Sequence, residues 1–257
     1  MKTLAIKKNN PAINHWLLLV LITGAVISCR DTSRFDCMKR AGHEASVSVY
    51  ESQPYHTLSV HDDINLVIHP DTIDHLILNG PANLLDNIVF SIKDSVCQVR
   101  NRNTCNWVRS FDQAITLHVH TRGLRTVHFS GSGNMNFADT LHQASFELEV
   151  WNGHGELIPL VNTRKATFKL HSGVGIITPH GQTFELDVYA SGVGQINTLG
   201  LQADYVLAQH VGSNNAWVFA NTMLYVRLLS VGNIYYAGSP EVIILDRQGE
   251  GDVIRLP

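Results

Sequence analysis

Histidine is the residue type best placed to do chemistry in this chain, which contains 14 of them. His118 and His120 lie two positions apart, so a β-strand would present both on one face, and His128 falls on the next predicted strand. A zinc site needs three or four converging ligands, and no Cys-x-x-Cys or His-Glu-x-x-His spacing supplies them. We therefore predict a solvent-facing polar stripe, with no metal site and no cofactor.

Paired carboxylates are the second candidate, because glycoside hydrolysis uses two of them as acid and base. Two such pairs lie on predicted strands, Glu147 with Glu149 and Glu185 with Asp187. Both pairs alternate with apolar residues, as the exposed positions of any half-buried strand do. An outer ladder of charges explains them without catalysis, so we predict no catalytic residue and no enzyme. A polysaccharide hydrolase or lyase is the alternative.

Aromatic side chains beside the predicted turns form the third candidate. Trp151 and Trp217 adjoin turns, and Tyr236 lies close after the last one. Aromatic rings in such places could stack on sugar rings or anchor a protein partner. Their alternative role is packing inside the fold, and exposure beside polar side chains in a shared groove would distinguish the two.

A glycine repeat indicates the elements that position these residues. The turn glycines lie at positions 131, 153, 173, 192, 212 and 232, a nearly constant step of roughly 20 residues. Short alternating strands such as Phe146–Val150 and Phe184–Val188 precede the turns. A unit of about 20 residues cannot bury its own apolar face, so the units must stack. We predict an all-β, right-handed parallel β-helix-like solenoid. In it, glycine residues adopt the positive φ angles that the turns require, and Asn or Ser side chains form hydrogen bonds along the stack. Hairpins in a sandwich or propeller are the alternative.

The preceding segment, residues 45–128, is rich in predicted strands but lacks the glycine step. Lys93-Asp94-Ser95 has the character of a hairpin turn. No linker separates the two halves, so we predict one β domain over residues 45–257. Its amino-terminal part caps or extends the coil and protects an otherwise open edge.

The amino terminus is typical of a lipoprotein signal peptide over residues 1–28. Three lysines in the first eight residues precede an apolar run of 12 residues, Trp16 to Ile27, whereas a membrane-spanning helix needs about 20. Val26-Ile27-Ser28-Cys29 resembles a bacterial lipobox, so we predict lipidation at Cys29 and an anchor or linker over residues 29–44. An ordinary cleavage site with an incidental cysteine is the alternative.

Three cysteines remain after the anchor. Cys97 alternates with polar residues in a predicted strand and is expected in the core, whereas Cys105 follows a polar turn. Because an oxidising compartment favours pairing of exposed thiols, we predict a Cys37–Cys105 disulfide, with Cys97–Cys105 as the rival.

Charge excludes one class of partner. The chain carries a net charge of -3, and without the three lysines of residues 1–28 the remainder has 16 basic and 22 acidic residues, about -6. Such a body offers no basic surface for a phosphate backbone, so nucleic acid is not expected as a partner.

Several segments together resemble a known family. They are the lipobox, Asp36-Cys37, the stretch 101–110 (Asn-Arg-Asn-Thr-Cys-Asn-Trp-Val-Arg-Ser), the Gly-Ser-Gly-Asn of 131–134, and the ending 231–240 (Val-Gly-Asn-Ile-Tyr-Tyr-Ala-Gly-Ser-Pro). Over about residues 45–245 the chain resembles the putative autotransporter adhesin head GIN domain family. The resemblance implies a β-helix-like envelope protein with an adhesive or binding role and no assigned catalytic residues.

Taken together, the residues and the resemblance favour a lipid-anchored envelope protein. We expect an outer-membrane lipoprotein, facing the periplasm or the surface, that is tethered to the membrane by its anchor and binds an extracellular glycan or an envelope protein. A structural or regulatory envelope protein is the further alternative.

Overall fold

The computed structural model describes residues 40–49, 54–104 and 114–257. Within these ranges the chain is almost entirely β-strand, with one short helix. In chain order the elements are β1 (Glu44–Val49), β2 (Thr57–Asp62), β3 (Asn65–Pro70), β4 (His75–Pro81), α1 (Ala82–Leu85), β5 (Ile88–Lys93), β6 (Val96–Asn101), β7 (Thr116–Thr121), β8 (Thr126–Gly131), β9 (Met135–Phe137), β10 (Leu141–Val150), β11 (Glu156–Ile158), β12 (Leu160–Leu170), β13 (Ile176–Ile177), β14 (His180–Ala190), β15 (Gln195–Asn197), β16 (Leu201–His210), β17 (Ala216–Ala220), β18 (Met223–Leu228), β19 (Ile234–Gly238), β20 (Glu241–Arg247) and β21 (Val253–Arg255).

The strands form two sheets. Sheet 1 has the order β1-β4-β7-β3-β9-β11-β13-β15-β17-β19-β21, and sheet 2 has the order β20-β18-β16-β14-β12-β10-β8-β2-β6-β5. From β8 onwards the chain alternates between the sheets, so each pair of consecutive strands makes one rung. Strands of neighbouring rungs are parallel. The predicted parallel solenoid is confirmed.

The register shows the predicted step directly. In sheet 2, Leu148 lies opposite Phe168, Phe168 opposite Val188, and Val188 opposite Ala208, so the rung repeats after about 20 residues, a solenoid period. The next step along the chain is slightly shorter, because Ala208 lies opposite Val226. A constant register places chemically similar side chains above one another. Core positions therefore stack on core positions and outer positions on outer ones.

The repeated glycines serve a different purpose from the predicted one. Of the six turn glycines, only Gly173 and Gly192 have positive φ. A Cβ at Gly131 would overlap the carbonyl oxygen of Asp62, and one at Gly232 would overlap that of Asn214. Most of these turns thus require glycine because the backbone of the neighbouring rung comes too close for a side chain. The expectation that positive φ explains the repeat is wrong for four of the six.

Asparagine side chains join the turns along the stack, as predicted. The Asn65 side-chain oxygen accepts the N–H of Asn134 at 2.8 Å, and that of Asn134 accepts the N–H of Glu156 at 2.9 Å. Further along, Asn215 accepts from Asn233, which accepts from Asp252, at 2.9 and 2.8 Å. These bonds satisfy turn N–H groups that have no strand partner.

The amino-terminal region is a cap with its own topology. The β2–β3 rung lies between the β6–β7 rung and the β8–β9 rung, although it comes first in the chain. Beyond them the pairing turns antiparallel, with β4 on β7, β1 on β4, and β5 on β6. Asp94 and Ser95, both at positive φ, make the predicted tight turn between β5 and β6. The expected cap is confirmed, whereas its interleaved order was not predicted.

The core consists of the inward-facing residues of both sheets. Phe129, Phe146 and Phe168 are its largest side chains and are at most 1% exposed. Cys97 is completely buried in β6, which confirms its predicted core position. Among the described residues, no helix has the length and hydrophobicity to span a membrane.

Candidate functional site

Sheet 2 carries a ladder of charges on its outer face, in the middle of the coil. All four carboxylates considered above for catalysis lie within ion-pair distance of a basic side chain of another rung. The pairs are Glu147–Lys169 (2.5 Å), Asp187–Lys165 (2.6 Å), Glu149–His171 (2.7 Å) and Glu185–Arg164 (3.5 Å). Hydrogen bonds to Glu147 and Asp187 raise the pKa of Lys169 and of Lys165, respectively. The pattern is the predicted charge ladder, in which each acid is matched by a base.

Trp151 stands at the edge of this ladder. Its side chain is 49% exposed and stacks flat on the ring of His171, with 3.9 Å between the ring centroids. The ring of Tyr189, one rung further, lies 5.1 Å from that of His171. Beside these rings is a depression of about 270 Å³ lined in part by Lys169, Tyr189 and Gln209. Trp151 is therefore an exposed aromatic residue next to polar side chains.

Trp217 and Tyr236 lie elsewhere, in sheet 1. Trp217 in β17 stacks on Tyr235 of the next rung at 5.6 Å, and the two rings are nearly parallel. Tyr236 lies opposite the buried Val218 and packs, partly buried, against the core. The three predicted aromatic residues thus do not share one groove. Their role in ligand stacking stays a prediction, for which Trp151 has the most suitable surroundings.

Four histidines meet on the outer face of the cap, a cluster that the sequence did not predict as a whole. His69 of β3 and His75 of β4 lie opposite His120 of β7, on its two sides. The His120 ring stacks on both, at 4.4 and 3.9 Å, and the Nε2 of His69 lies 3.0 Å from the Nδ1 of His118. His120 also contacts Asp71 at 3.1 Å. His118-x-His120 was the visible signal, but the strands that flank β7 are distant in sequence.

The surroundings favour the neutral imidazole at two members of this cluster, His69 and His118. Burial and the neighbouring His120 lower the pKa of His118, and burial with His120 and His118 lowers the pKa of His69. His128 is not part of the cluster, because it lies in sheet 2, with 3.5 Å between its Nε2 and a carboxylate oxygen of Glu149. In the described part of the chain, no group of three or more His, Cys, Asp or Glu side chains is arranged to hold a metal ion.

The remaining site predictions fall outside the described residues. They are lipidation at Cys29 and the disulfide between Cys37 and Cys105. Both stay predictions.

Solved structures of the same fold include proteins from Bacteroides and Parabacteroides species. A putative adhesin from Bacteroides fragilis NCTC 9343 matches with a TM-score of 0.75 and 20% identity, covering 83% of this chain and 97% of its own. A putative adhesin and a putative lipid binding protein, both from Parabacteroides distasonis ATCC 8503, match with TM-scores of 0.62. Their identities are 19% and 16%, and each match covers 84% of this chain and 98% of the other. At such identities the likeness shows the fold.

Sequence comparison adds the family. No curated protein matches the chain. A family model described as "Putative auto-transporter adhesin, head GIN domain" matches residues 54–240, a range that starts before β2 and ends just after β19. The resemblance seen in the sequence is thereby confirmed. The chain belongs to the putative auto-transporter adhesin head GIN domain family.

Proposed function

We propose that this protein is a lipid-anchored, non-catalytic adhesin of the cell envelope that binds an extracellular glycan or protein through the outer face of sheet 2. The observation that carries the proposal is the row of rings formed by the exposed Trp151 and the partly buried His171 and Tyr189. The row stands on a stack of strands, beside a depression whose largely apolar surface also includes the charged residues Lys169 and Asp187. Rigid aromatic surfaces of this kind bind partners at a low cost in conformational entropy.

The charge ladder supports a binding role over catalysis. An acid that donates a proton to a glycosidic oxygen must hold that proton at working pH, which requires an apolar or like-charged environment. Glu147 and Asp187 instead pair with lysine ammonium groups at 2.5 and 2.6 Å, so neither carboxyl group lies in an apolar or like-charged environment. The ladder therefore serves as a charged binding surface in this proposal.

Membership of an adhesin family suggests an envelope or surface location, and the lipobox supplies the anchor. We expect a Cys29→Ala variant to lose incorporation of labelled palmitate and to leave the membrane fraction. A Cys97→Ala variant is the matched control, since Cys97 lies in the core. Retention of Cys29→Ala in the membrane fraction would contradict the anchor.

Adhesion is tested with intact cells. Cells that make the protein should bind immobilised mucin or extracellular-matrix protein more strongly than cells from which it is deleted, and protease treatment of the intact cells should remove the difference. Vesicles coated on the same support serve as a third surface, because one structure of this fold is described as a putative lipid binding protein. Equal binding by producing and deleted cells on every surface would refute the adhesive function.

A further inference from the structure

A second depression lies at a corner of the coil, where the long strands of sheet 2 begin. Pairing between β12, β14 and β16 is interrupted at one position per rung, at Arg164, Phe184 and Asp204, while the same register continues on both sides. The side chains of Arg164 and of the next residue, Lys165, are both exposed, so the usual alternation is broken there. The interruption lets the outer surface change direction, and a depression of about 220 Å³ lies beside it. We call this depression the corner groove; its walls include Asn162, Gln182, Gln202, Phe184, Asp204 and Asn221.

One wall of the corner groove is a row of amides. Asn162, Gln182 and Gln202 are register partners in successive rungs, and all three side chains are exposed. In the described part of the chain none of these amides makes a hydrogen bond. Each offers two N–H donors and one carbonyl acceptor, and adjacent amides repeat at about 4.8 Å, the spacing of paired strands. The row therefore presents hydrogen-bond donors and acceptors that the fold itself does not use.

Two aromatic rings stand next to the row. Phe184 is 41% exposed and Tyr205 is 37% exposed, with ring centroids 5.1 Å apart. The Arg164 guanidinium lies 5.4 Å from the Phe184 centroid, and it also pairs with Glu185 at 3.5 Å. These contacts hold the Phe184 ring against the neighbouring rungs while leaving part of it open to solvent. An exposed ring held in this way suits stacking against the apolar C–H face of a flat ligand.

The charge of the corner groove indicates an uncharged ligand. Among the described residues that line it, Asp204 is the one with a charged side chain, and its Oδ1 accepts a hydrogen bond from the Nδ2 of Asn221 at 3.1 Å. The nearby Arg164 does not line the groove and forms an ion pair with Glu185 at 3.5 Å. No basic side chain of this lining therefore attracts a phosphate, sulfate or carboxylate, whereas the second Asp204 oxygen can accept from a hydroxyl group.

From this geometry we infer that the corner groove binds a neutral carbohydrate, with a sugar ring stacked on Phe184 and its hydroxyl groups bonded to the amide row and Asp204. A volume of about 220 Å³ is below the roughly 300–1,000 Å³ of drug-sized pockets, so the groove accommodates one ring of a longer chain. The inference rests on the proposed adhesive function: it names a ligand class and adds a second site, which is distinct from the depression beside Trp151.

The test starts with purified full-length protein on an array of neutral hexoses, N-acetylhexosamines and their oligomers, followed by titration calorimetry with the tightest binder. We expect Phe184→Ala and Gln182→Ala each to weaken binding about tenfold, the size of one lost stacking or hydrogen-bonding contact. The matched controls are Tyr235→Ala, a partly exposed ring of sheet 1, and Gln98→Ala, an exposed amide of the cap, which should each change affinity less than twofold. Circular dichroism verifies that all four variants fold.

Three results would overturn the inference. They are no binding to any neutral sugar at millimolar concentration, binding that Trp151→Ala removes but Phe184→Ala does not, and a requirement for a charged sugar. None of them removes the proposed function, which fails only if deletion leaves cell adhesion unchanged on every surface. Adhesion to a protein surface that depends on Phe184 would likewise overturn the carbohydrate as ligand while supporting adhesion.

Discussion

The cap and the coil both bury one face of each strand, but they pair their strands in different ways. In the coil, from β8 to β21, strands pair in parallel with the equivalent strands of the adjacent rungs. In the cap, β2 lies between β6 and β8 and pairs with both, although both come later in the chain. The outermost strands of the cap are antiparallel. Both arrangements bury one face of each strand.

This difference in pairing determines which surface features each region can form. A coil of stacked rungs places equivalent positions in line, so the rows of charges, amides and rings arise there from repetition. The cap brings distant segments together and produces a unique cluster, the four histidines around His120. A stack stabilised by neighbour contacts is also expected to open locally, whereas an interleaved cap must open as a unit.

The largest expected effect comes from the core of the coil. Phe168→Ala removes a completely buried ring and should lower the free energy of unfolding by about 3–5 kcal/mol, measured by urea denaturation. Phe184→Ala, the same change at a 41% exposed ring, should cost less than about 1 kcal/mol. Hydrogen exchange should become faster in β10, β12 and β14 while β3 and β7 stay protected. Equal acceleration in the cap would show that the two regions unfold as one.

A turn glycine should give the next largest effect. At Gly155 an added Cβ would overlap the carbonyl oxygen of Gly133, which belongs to backbone and cannot move aside cheaply. Gly155→Ala should therefore lower the free energy of unfolding by about 2–3 kcal/mol. Gly123→Ala is the control, because its Cβ would meet nothing within 4 Å and should change stability by less than about 0.5 kcal/mol. Similar losses for both would mean that close approach of the neighbouring rung is not what requires glycine at this turn.

Low pH should destabilise the cap more than the coil, with a smaller effect on stability than the two substitutions above. The pKa values of His69 and His118 are lowered from 6.5, so between the folded pKa and 6.5 the unfolded chain binds more protons than the folded one. The stability of the cap should therefore fall as the pH drops below about 6.5. Hydrogen exchange at pH 7.5 and 5.5, corrected for intrinsic rates, should show β3 and β7 losing protection.

Replacing both histidines by Gln should reduce this pH dependence without abolishing it. His61 and His210 also have lowered pKa values because of burial, and His210 lies in the coil. An unchanged pH slope in the double variant would contradict a role for the cluster.

The smallest effect is expected on the outer face of the coil. Lys169 and Glu147 pair at 2.5 Å, but about a third of each side chain is exposed. A double-mutant cycle with Lys169→Ala and Glu147→Ala should give a coupling energy of about 0.2–1 kcal/mol that shrinks in concentrated NaCl. A coupling as large as the loss expected for Phe168→Ala would mean that the ladder stabilises the fold as strongly as the core does.

Much of the coil could be predicted because its repeat is local. The predicted strands Phe146–Val150 and Phe184–Val188 lie within β10 and β14, and the buried Cys97 follows from alternation alone. The candidate sites were less predictable. Trp151 was identified from its place beside a turn. Phe184 lies at the interruption of the strand pairing and is 41% exposed, although alternation places it on the apolar face of its strand.

The sequence by itself determined the step, the parallel stack and the family, since spacing and alternation are properties of neighbouring residues. Only the tertiary structure decided which distant strands meet, because pairing between β3, β4 and β7 depends on contacts that no local pattern encodes. It also decided why glycine recurs, since a clash with the next rung exists only once the rungs are stacked. The histidine cluster and the corner groove both follow from that stacking.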